Sequence, residues 1–203
     1  ASDSETNANA INSDNSNLVT TSFLLFQTGD GIAVGNDIND ARMGVYVTAV
    51  GTGGTDNDDF FVVVQSAPAA DTAIVAGDFN NITDMAGTNP HGAAVEYRDM
   101  SDYSSTSTSY VDVDNITINQ YLEFVINATG TPQITKGAGG VTRFGLAEGH
   151  VAYNHVPDSA TPNRISIDFA EGTNIPYLEI DFASATPAAV AEEETIVVPF
   201  FEL

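Results

Sequence analysis

The chain has 203 residues, 42% of them hydrophobic, which is enough to bury a sizeable core. Its 28 acidic and five basic side chains give a formal net charge of −23 at pH 7, which argues against nucleic acid as a partner because affinity for phosphate backbones depends on lysine and arginine. The sequence has no cysteine, which excludes disulfides and thiol chemistry, and no apolar run of about 18 residues, so no membrane insertion is expected.

Residues 1–17 form a polar arm in which Ile11 is the only large apolar residue. Such a composition is typical of a flexible terminus. Since the arm has too few apolar residues to fold by itself, we expect it to become ordered only by contact, either with its own domain or with a neighbouring subunit. The neighbouring subunit is favoured, since a polar arm has little apolar surface with which to adhere to its own domain.

Strand patterns recur after the arm. The segment 18–27, LVTTSFLLFQ, is followed by the turn TGDG and then by IAV, which predicts a hairpin. The segments 43–50 and 60–67, MGVYVTAV and FFVVVQSA, flank an acidic loop and predict a second hairpin. The segment 93–100, AAVEYRDM, predicts a further strand.

The apolar alternation changes phase within residues 109–127. Val111 and Val113 occupy odd positions, whereas Leu122, Phe124 and Ile126 occupy even ones. Since one face of a strand cannot hold both sets, the sequence predicts a bulge or a break near Asp114 and Asn115.

Two similar strands follow, RISIDF at 164–169 and YLEIDF at 177–182, each with its apolar residues on one face. The segment between them, EGTNIP, predicts a connecting turn. The last run, TIVVPFFEL at 195–203, carries Pro199, which suits an edge strand or a bulge. Residues 184–194 fit either a short helical turn or a linker.

These patterns predict an all-β protein, an antiparallel β-sandwich with a jelly-roll-like arrangement. It would consist of the arm at 1–17 and a single domain at 18–203, which ends in an apolar C-terminal strand.

Acidic turns are the most distinctive local feature and predict candidate calcium ligands, because calcium takes six to eight hard oxygens from flexible segments. The alternative is that Asp and Asn are simply good turn formers. The candidate ligands are Asp30, Asp37, Asp40, Asp56, Asp58, Asp59, Asp112 and Asp114. His150 and His155 give a weaker zinc hypothesis, since residues five apart on a strand face opposite sides.

Three Asn-x-Thr sequons mark candidate glycosylation sites, at Asn81, Asn115 and Asn127. Exposed aromatic residues would be needed for carbohydrate recognition, and the chain has no tryptophan. Its tyrosines could serve instead, although a strand tyrosine is more often half-buried in its sheet. Those considered are Tyr103, Tyr110, Tyr121, Tyr153 and Tyr177.

No nucleophile elbow, zinc-protease motif, phosphate loop or dinucleotide fingerprint occurs in the sequence. We therefore expect no enzyme and no required cofactor. A hydrolase with a carboxylate pair is the weakest alternative, because such a pair is defined by distance and not by spacing.

The sequence favours a structural subunit of an extracellular, self-assembling filament or pilus-like fibre, whose main partner is the chain itself. Subunits would be joined by donor-strand complementation, in which an extended terminal segment completes a neighbour's sheet. A secreted carbohydrate- or calcium-dependent binding module and a virion or surface-layer protein are the alternatives. The candidate assembly residues are Leu18, Phe23, Leu25, Ile196, Val198 and Phe200. For residues 195–203 themselves, closure of the chain's own sandwich is slightly favoured over exchange.

Overall fold

The computed structural model describes residues 10–11, 22–51, 60–66, 68, 82–83, 110–128, 130–149, 164–168, 173–184 and 193–200. Within these ranges the regular structure is almost entirely antiparallel strand. In chain order the strands are β1 (Ala10–Ile11), β2 (Ser22–Phe26), β3 (Asp37–Gly51), β4 (Phe60–Ser66), β5 (Ile82–Thr83), β6 (Tyr110–Asp112), β7 (Gln120–Val125), β8 (Thr142–Glu148), β9 (Arg164–Ile167), β10 (Tyr177–Ala183) and β11 (Glu193–Pro199). Two short 3-10 turns occupy Val113–Asn115 and Thr131–Gln133.

Sheet A has six strands in the order β1-β9-β3-β10-β11, with β7 also paired to β3. The long strand β3 organises it. Val47 lies opposite both Gln120 of β7 and Ile167 of β9, and Gly44 lies opposite residues of both β7 and β10. Strands β9 and β10 therefore follow one another along one side of β3, and β7 lies along the other side.

Sheet B has five strands in the order β2-β8-β4-β5, with β6 also paired to β4. Its main strands are buried on both faces: every residue of β2 is buried, and β4 and β8 each have a single half-buried residue. One hydrophobic cluster joins the two sheets and includes Met43, Phe124 and Ile180 from sheet A with Phe61 and Phe144 from sheet B. The predicted antiparallel β-sandwich is confirmed, and its jelly-roll-like detail stays a prediction.

Both predicted hairpins are wrong. Strands β3 and β4 belong to different sheets, so the segment between them joins the two layers of the sandwich. After β2 the chain makes two successive turns, with Ile32 buried between them, and the next strand begins only at Asp37. The hydrophobic run at 60–67 is explained by burial on both faces, and not by pairing with its neighbour in sequence.

The predicted break near Asp114 and Asn115 is confirmed. The chain leaves sheet B at the end of β6, makes the 3-10 turn and enters sheet A at β7. The Asp112 carboxylate caps that turn by accepting a hydrogen bond from the backbone N–H of Asp114, 2.8 Å away. The apolar pattern changes phase because the two strands pack into the core from opposite layers.

Strands β9 and β10 bury the residues that the alternation predicted. Ile165 and Ile167 of β9 are buried, as are Leu178, Ile180 and Phe182 of β10. Phe169 lies outside the described residues, and the predicted strand at 93–100 does too.

The loops at 27–36 and 134–141 hold each other closely at one end of the sandwich. The Thr28 hydroxyl donates a hydrogen bond to the carbonyl of Thr135, 2.7 Å away, and the Gly29 amide donates to the carbonyl of Gly140, 2.9 Å away. A Cβ atom at Gly29 would overlap the carbonyl oxygen of Gly137 and the backbone of Gly140. Glycine is therefore required at position 29 by the close approach of the two backbones.

Of the predicted arm at 1–17, only Ala10–Ile11 is described. No helix in the described ranges is long and apolar enough to cross a membrane.

Candidate functional site

The first and last described strands lie on the same edge of sheet A. Strand β1 pairs with β9 and strand β11 pairs with β10. Because β9 and β10 follow one another along the same side of β3, β1 and β11 occupy a single outer row. We call this row the shared edge.

Strand β11 is held firmly at the shared edge. It pairs with β10 along seven residues, from Glu193 opposite Ala183 to Pro199 opposite Tyr177. Val198 is buried, Ile196 packs partly buried against the core, and Val197 on the other face is 58% exposed. In the described chain, residues 193–199 therefore form an edge strand of their own sandwich, with the inward row that the alternation predicted.

Phe200, which follows β11 directly, packs against the opposite sheet. Its ring meets the ring of Phe26 edge to face, with centroids 6.3 Å apart. Its amide donates a hydrogen bond to the carbonyl of Pro176, 3.0 Å away. Residues 201–203 lie outside the described residues.

The described part of strand β1 has much less backbone pairing than strand β11. It consists of two residues, with Ala10 opposite Ile165 and Ile11 opposite Arg164. Within the residues that the structure describes, the two strands of the shared edge therefore differ in backbone pairing, with two paired residues in β1 and seven in β11.

The candidate assembly residues that the structure describes all contribute to the chain's own core. Phe23 and Leu25 are buried in β2, at the edge of sheet B, and Val198 and Phe200 are buried at the end of β11. Leu18 lies outside the described residues. A role for these side chains in assembly stays a prediction.

The outward surface of sheet A carries a cluster of three tyrosines, which we call the tyrosine face. Tyr46 of β3 lies directly opposite Tyr121 of β7, with ring centroids 5.4 Å apart and planes at 80°. The ring of Tyr177 also contacts that of Tyr121, with centroids 5.2 Å apart and planes at 62°. Edge-to-face contacts of this kind stabilise by about 0.5–1.5 kcal/mol beyond the area that they bury.

Gly44 explains why Tyr177 can reach across the sheet. It lies opposite Tyr177 in the register, and a Cβ atom at this position would overlap the tyrosine ring. The ring covers the glycine, and its hydroxyl donates a hydrogen bond to the Glu123 carboxylate on β7, 2.5 Å away. Burial raises the pKa of Tyr177, and the hydrogen bond to Glu123 raises it further.

A charged row adjoins the tyrosine face. The Arg42 guanidinium lies 3.4 Å from the Glu179 carboxylate and 3.5 Å from that of Asp40. Glu179 is the main cause of a raised pKa at Arg42. In the next row Asp40 lies directly opposite Asp181, whose carboxylate accepts a hydrogen bond from the Thr195 hydroxyl of β11.

The candidate calcium ligands are scattered where the structure describes them. Asp37 and Asp40 belong to strand β3, so the expectation that they lie in an acidic turn is wrong. The Asp30 carboxylate accepts a hydrogen bond from the Gly139 amide, 3.0 Å away, and Asp112 and Asp114 lie at the 3-10 turn between the sheets.

Asp56, Asp58 and Asp59 lie outside the described residues, as do His150 and His155. Over the ranges that the structure covers, no three His, Cys, Asp or Glu side chains come together as a metal-binding group. A calcium site stays a prediction.

Two of the three sequons are described. Asn115 is exposed at the 3-10 turn, whereas Asn127 is half-buried at the end of β7. The Asn127 side-chain oxygen accepts a hydrogen bond from the Gly130 amide, 3.0 Å away. Asn81 lies outside the described residues.

Sequence reasoning singled out Tyr121 and Tyr177 among the tyrosines but missed Tyr46. The signal was present, because Tyr46 lies between Val45 and Val47, both of which are buried. Period-two alternation therefore places Tyr46 on the solvent side of the same strand.

In comparisons with known proteins, no protein-family model, curated protein or solved structure matches the chain significantly. The function has to be argued from the residues of this chain.

Proposed function

We propose that the protein is a structural subunit of an extracellular, filament-like homopolymer, in which the N-terminal arm of one copy pairs with strand β9 of the next. The observation that carries this proposal is the position of β1 on the shared edge, where the described part of the arm, Ala10–Ile11, pairs with β9. An edge strand offers backbone donors and acceptors to any extended segment, including the same segment of another copy.

The free energies needed to release each segment favour the N-terminal arm over β11 as the exchanged segment. Ordering the backbone of one residue costs about 1–2 kcal/mol, and a hydrogen bond contributes a net of about 0.5–1.5 kcal/mol. For Ala10–Ile11 the cost of ordering the backbone and the gain from its hydrogen bonds therefore nearly cancel, so this pairing adds little net stability. Releasing β11 would expose Val198 and Phe200, which are buried and stabilise by about 1.5–3 kcal/mol each.

Exchange of an identical element between copies creates no new contact type, which makes it a low-cost route to assembly. The net charge of −23 opposes close approach of copies at low ionic strength, and salt screens that repulsion. An acidic surface and three sequons suit an extracellular, salt-rich setting. No catalytic step is assigned to the protein.

The test compares the intact chain with a chain that lacks residues 1–17, by light scattering and negative-stain microscopy at low and high salt. We expect fibres or multimers of the intact chain that increase with salt, and folded monomers of the truncated chain. The variant Ile11→Pro keeps the arm but removes a backbone donor from β1, and we expect it to weaken assembly as well. Equal assembly of the truncated chain, or monomers under all conditions, would overturn the proposal.

A further inference from the structure

We propose that the tyrosine face of sheet A binds a neutral polysaccharide chain that lies across strands β7, β3 and β10. This site is separate from the shared edge and does not depend on the assembly proposed above.

The apolar part of the site is an aromatic track. Tyr121 is 39% exposed and contacts both Tyr46 and Tyr177. The centroid of the Tyr121 ring lies 5.4 Å from that of Tyr46 and 5.2 Å from that of Tyr177, so the three rings form a short, compact track. The C–H-bearing face of a sugar ring is apolar and stacks on such rings through dispersion and burial.

The polar part of the site is already held in place by internal bonds. The Glu123 carboxylate accepts from the Tyr177 hydroxyl, and the Glu179 carboxylate is fixed by Arg42. A carboxylate has about four acceptor positions, so each of these groups keeps capacity to accept from the hydroxyl groups of a ligand. Side chains that are ordered before binding lose little further freedom on binding.

Charge selects the class of ligand. Most carboxylates of the face already have an internal donor: Arg42 for Asp40 and Glu179, Tyr177 for Glu123, and Thr195 for Asp181. A cation is therefore not needed to compensate them. An anionic polymer is repelled by these carboxylates and by the net charge of −23. A neutral ligand rich in hydroxyl groups is not repelled by the carboxylates and can donate hydrogen bonds to them.

The open surface of a sheet also selects the size of the ligand. Sites for small molecules are concave and bury most of the ligand, whereas the tyrosine face spreads over three neighbouring strands. An extended chain can contact the three rings and the adjoining charged row at once, whereas a single sugar ring covers only part of that surface.

The test is native affinity electrophoresis of the whole chain in gels that each contain one polysaccharide. Three of these are neutral, namely mixed-linkage β-glucan, arabinoxylan and galactomannan, and the fourth, alginate, is anionic. We expect retardation by at least one neutral polysaccharide and none by alginate. Tyr121→Ala should weaken binding about tenfold, since it removes the central ring of the track. Tyr121→Phe keeps the ring and should bind as the native chain does.

Ile118→Ala is the matched control, because Ile118 is an apolar residue exposed to a similar degree that precedes β7 and lies outside the tyrosine face. We expect it to leave retardation unchanged. Absence of retardation by all three neutral polysaccharides would overturn the inference, and so would binding that Tyr121→Ala does not affect. Retardation by alginate alone would contradict the charge argument and overturn it too.

Discussion

The two sheets of the sandwich differ in how many of their faces are buried. Sheet B is buried on both faces, and its strands β4 and β8 carry almost no residue that reaches solvent. Sheet A buries one face, and β10 alternates strictly between buried and half-buried residues. Both sheets therefore contribute to the one core, whereas in the described residues sheet A also has an outward side that carries the tyrosine face and an edge formed by β1 and β11.

The largest expected effect contrasts an aromatic residue from each sheet. Phe144 of β8 is fully buried, so Phe144→Ala should lower the free energy of unfolding by about 3–5 kcal/mol. Tyr46→Ala removes an outward, half-buried ring. It loses an aromatic pair of about 0.5–1.5 kcal/mol together with the smaller area that this ring buries, and should therefore cost clearly less than Phe144→Ala. Urea denaturation measures both. Equal costs would show that the sheets do not differ as described.

A second pair of variants contrasts two glycines. Gly29→Ala drives a methyl group into backbone on the neighbouring loop, which cannot move aside locally, so we expect a loss of about 1–3 kcal/mol. Gly44→Ala meets the ring of Tyr177, a side chain that can rotate away. We expect a smaller loss, largely absent when Tyr177→Ala is also present, and a double-mutant cycle measures this coupling. A Gly44→Ala loss as large as that of Gly29→Ala would contradict this explanation.

These two contrasts also explain what the sequence could and could not reveal. In sheet A, alternation identified the buried residues of β9 and β10 because one face meets solvent. In sheet B, the strand Thr142–Glu148 escaped prediction because burial on both faces removes the alternation, and because Gly145 interrupts it. The hairpin between β3 and β4 was wrong because pairing between neighbours in sequence was assumed, although the chain changes layer there.

The candidate sites were predictable to a similar, limited extent. Pro199 correctly indicated an edge strand. The sharing of one edge by β1 and β11 depends on four pairings among five strands, three of them between strands distant in sequence, and no local pattern encodes them. The tyrosine face likewise required the pairing of Tyr46 with Tyr121.

A third prediction concerns the pH dependence of the tyrosine face. The pKa of Tyr177 is raised in the folded protein, so the folded state holds this proton more tightly than the unfolded state, in which tyrosine titrates near about 10. The resulting stability is fully present below about pH 10 and is lost as the pH rises above it. The difference in unfolding free energy between the native chain and Tyr177→Phe should therefore stay constant up to about pH 9 and shrink as the pH rises above about 10. A constant difference would contradict this assignment.

The smallest expected effect concerns the like charges that face each other across β3 and β10. Asp40 lies opposite Asp181, and such pairs destabilise by about 0.2–1 kcal/mol. Asp181→Asn removes the repulsion and keeps an oxygen to accept from the Thr195 hydroxyl. We expect a gain of about 0.5 kcal/mol at low salt, which disappears near about 1 M salt. A gain independent of salt would show that its cause is not electrostatic.

The exchange of the N-terminal arm is tested most directly by cross-linking, and the absence of native cysteine gives a clean background. Ile11 lies opposite Arg164, at a separation that a disulfide can bridge. Val197→Cys with Glu179→Cys is the matched control, because these residues face each other between β11 and β10 and should link within one chain.

The decisive measurement mixes the separate variants Ile11→Cys and Arg164→Cys, oxidises the assembled protein and resolves it on a non-reducing gel. If the arm pairs with the next copy, the mixture gives disulfide-linked dimers and the double variant gives a ladder of linked chains. If the mixture gives no dimer and the double variant gives only an internally linked monomer, strand β1 belongs to its own domain and the proposed assembly is wrong.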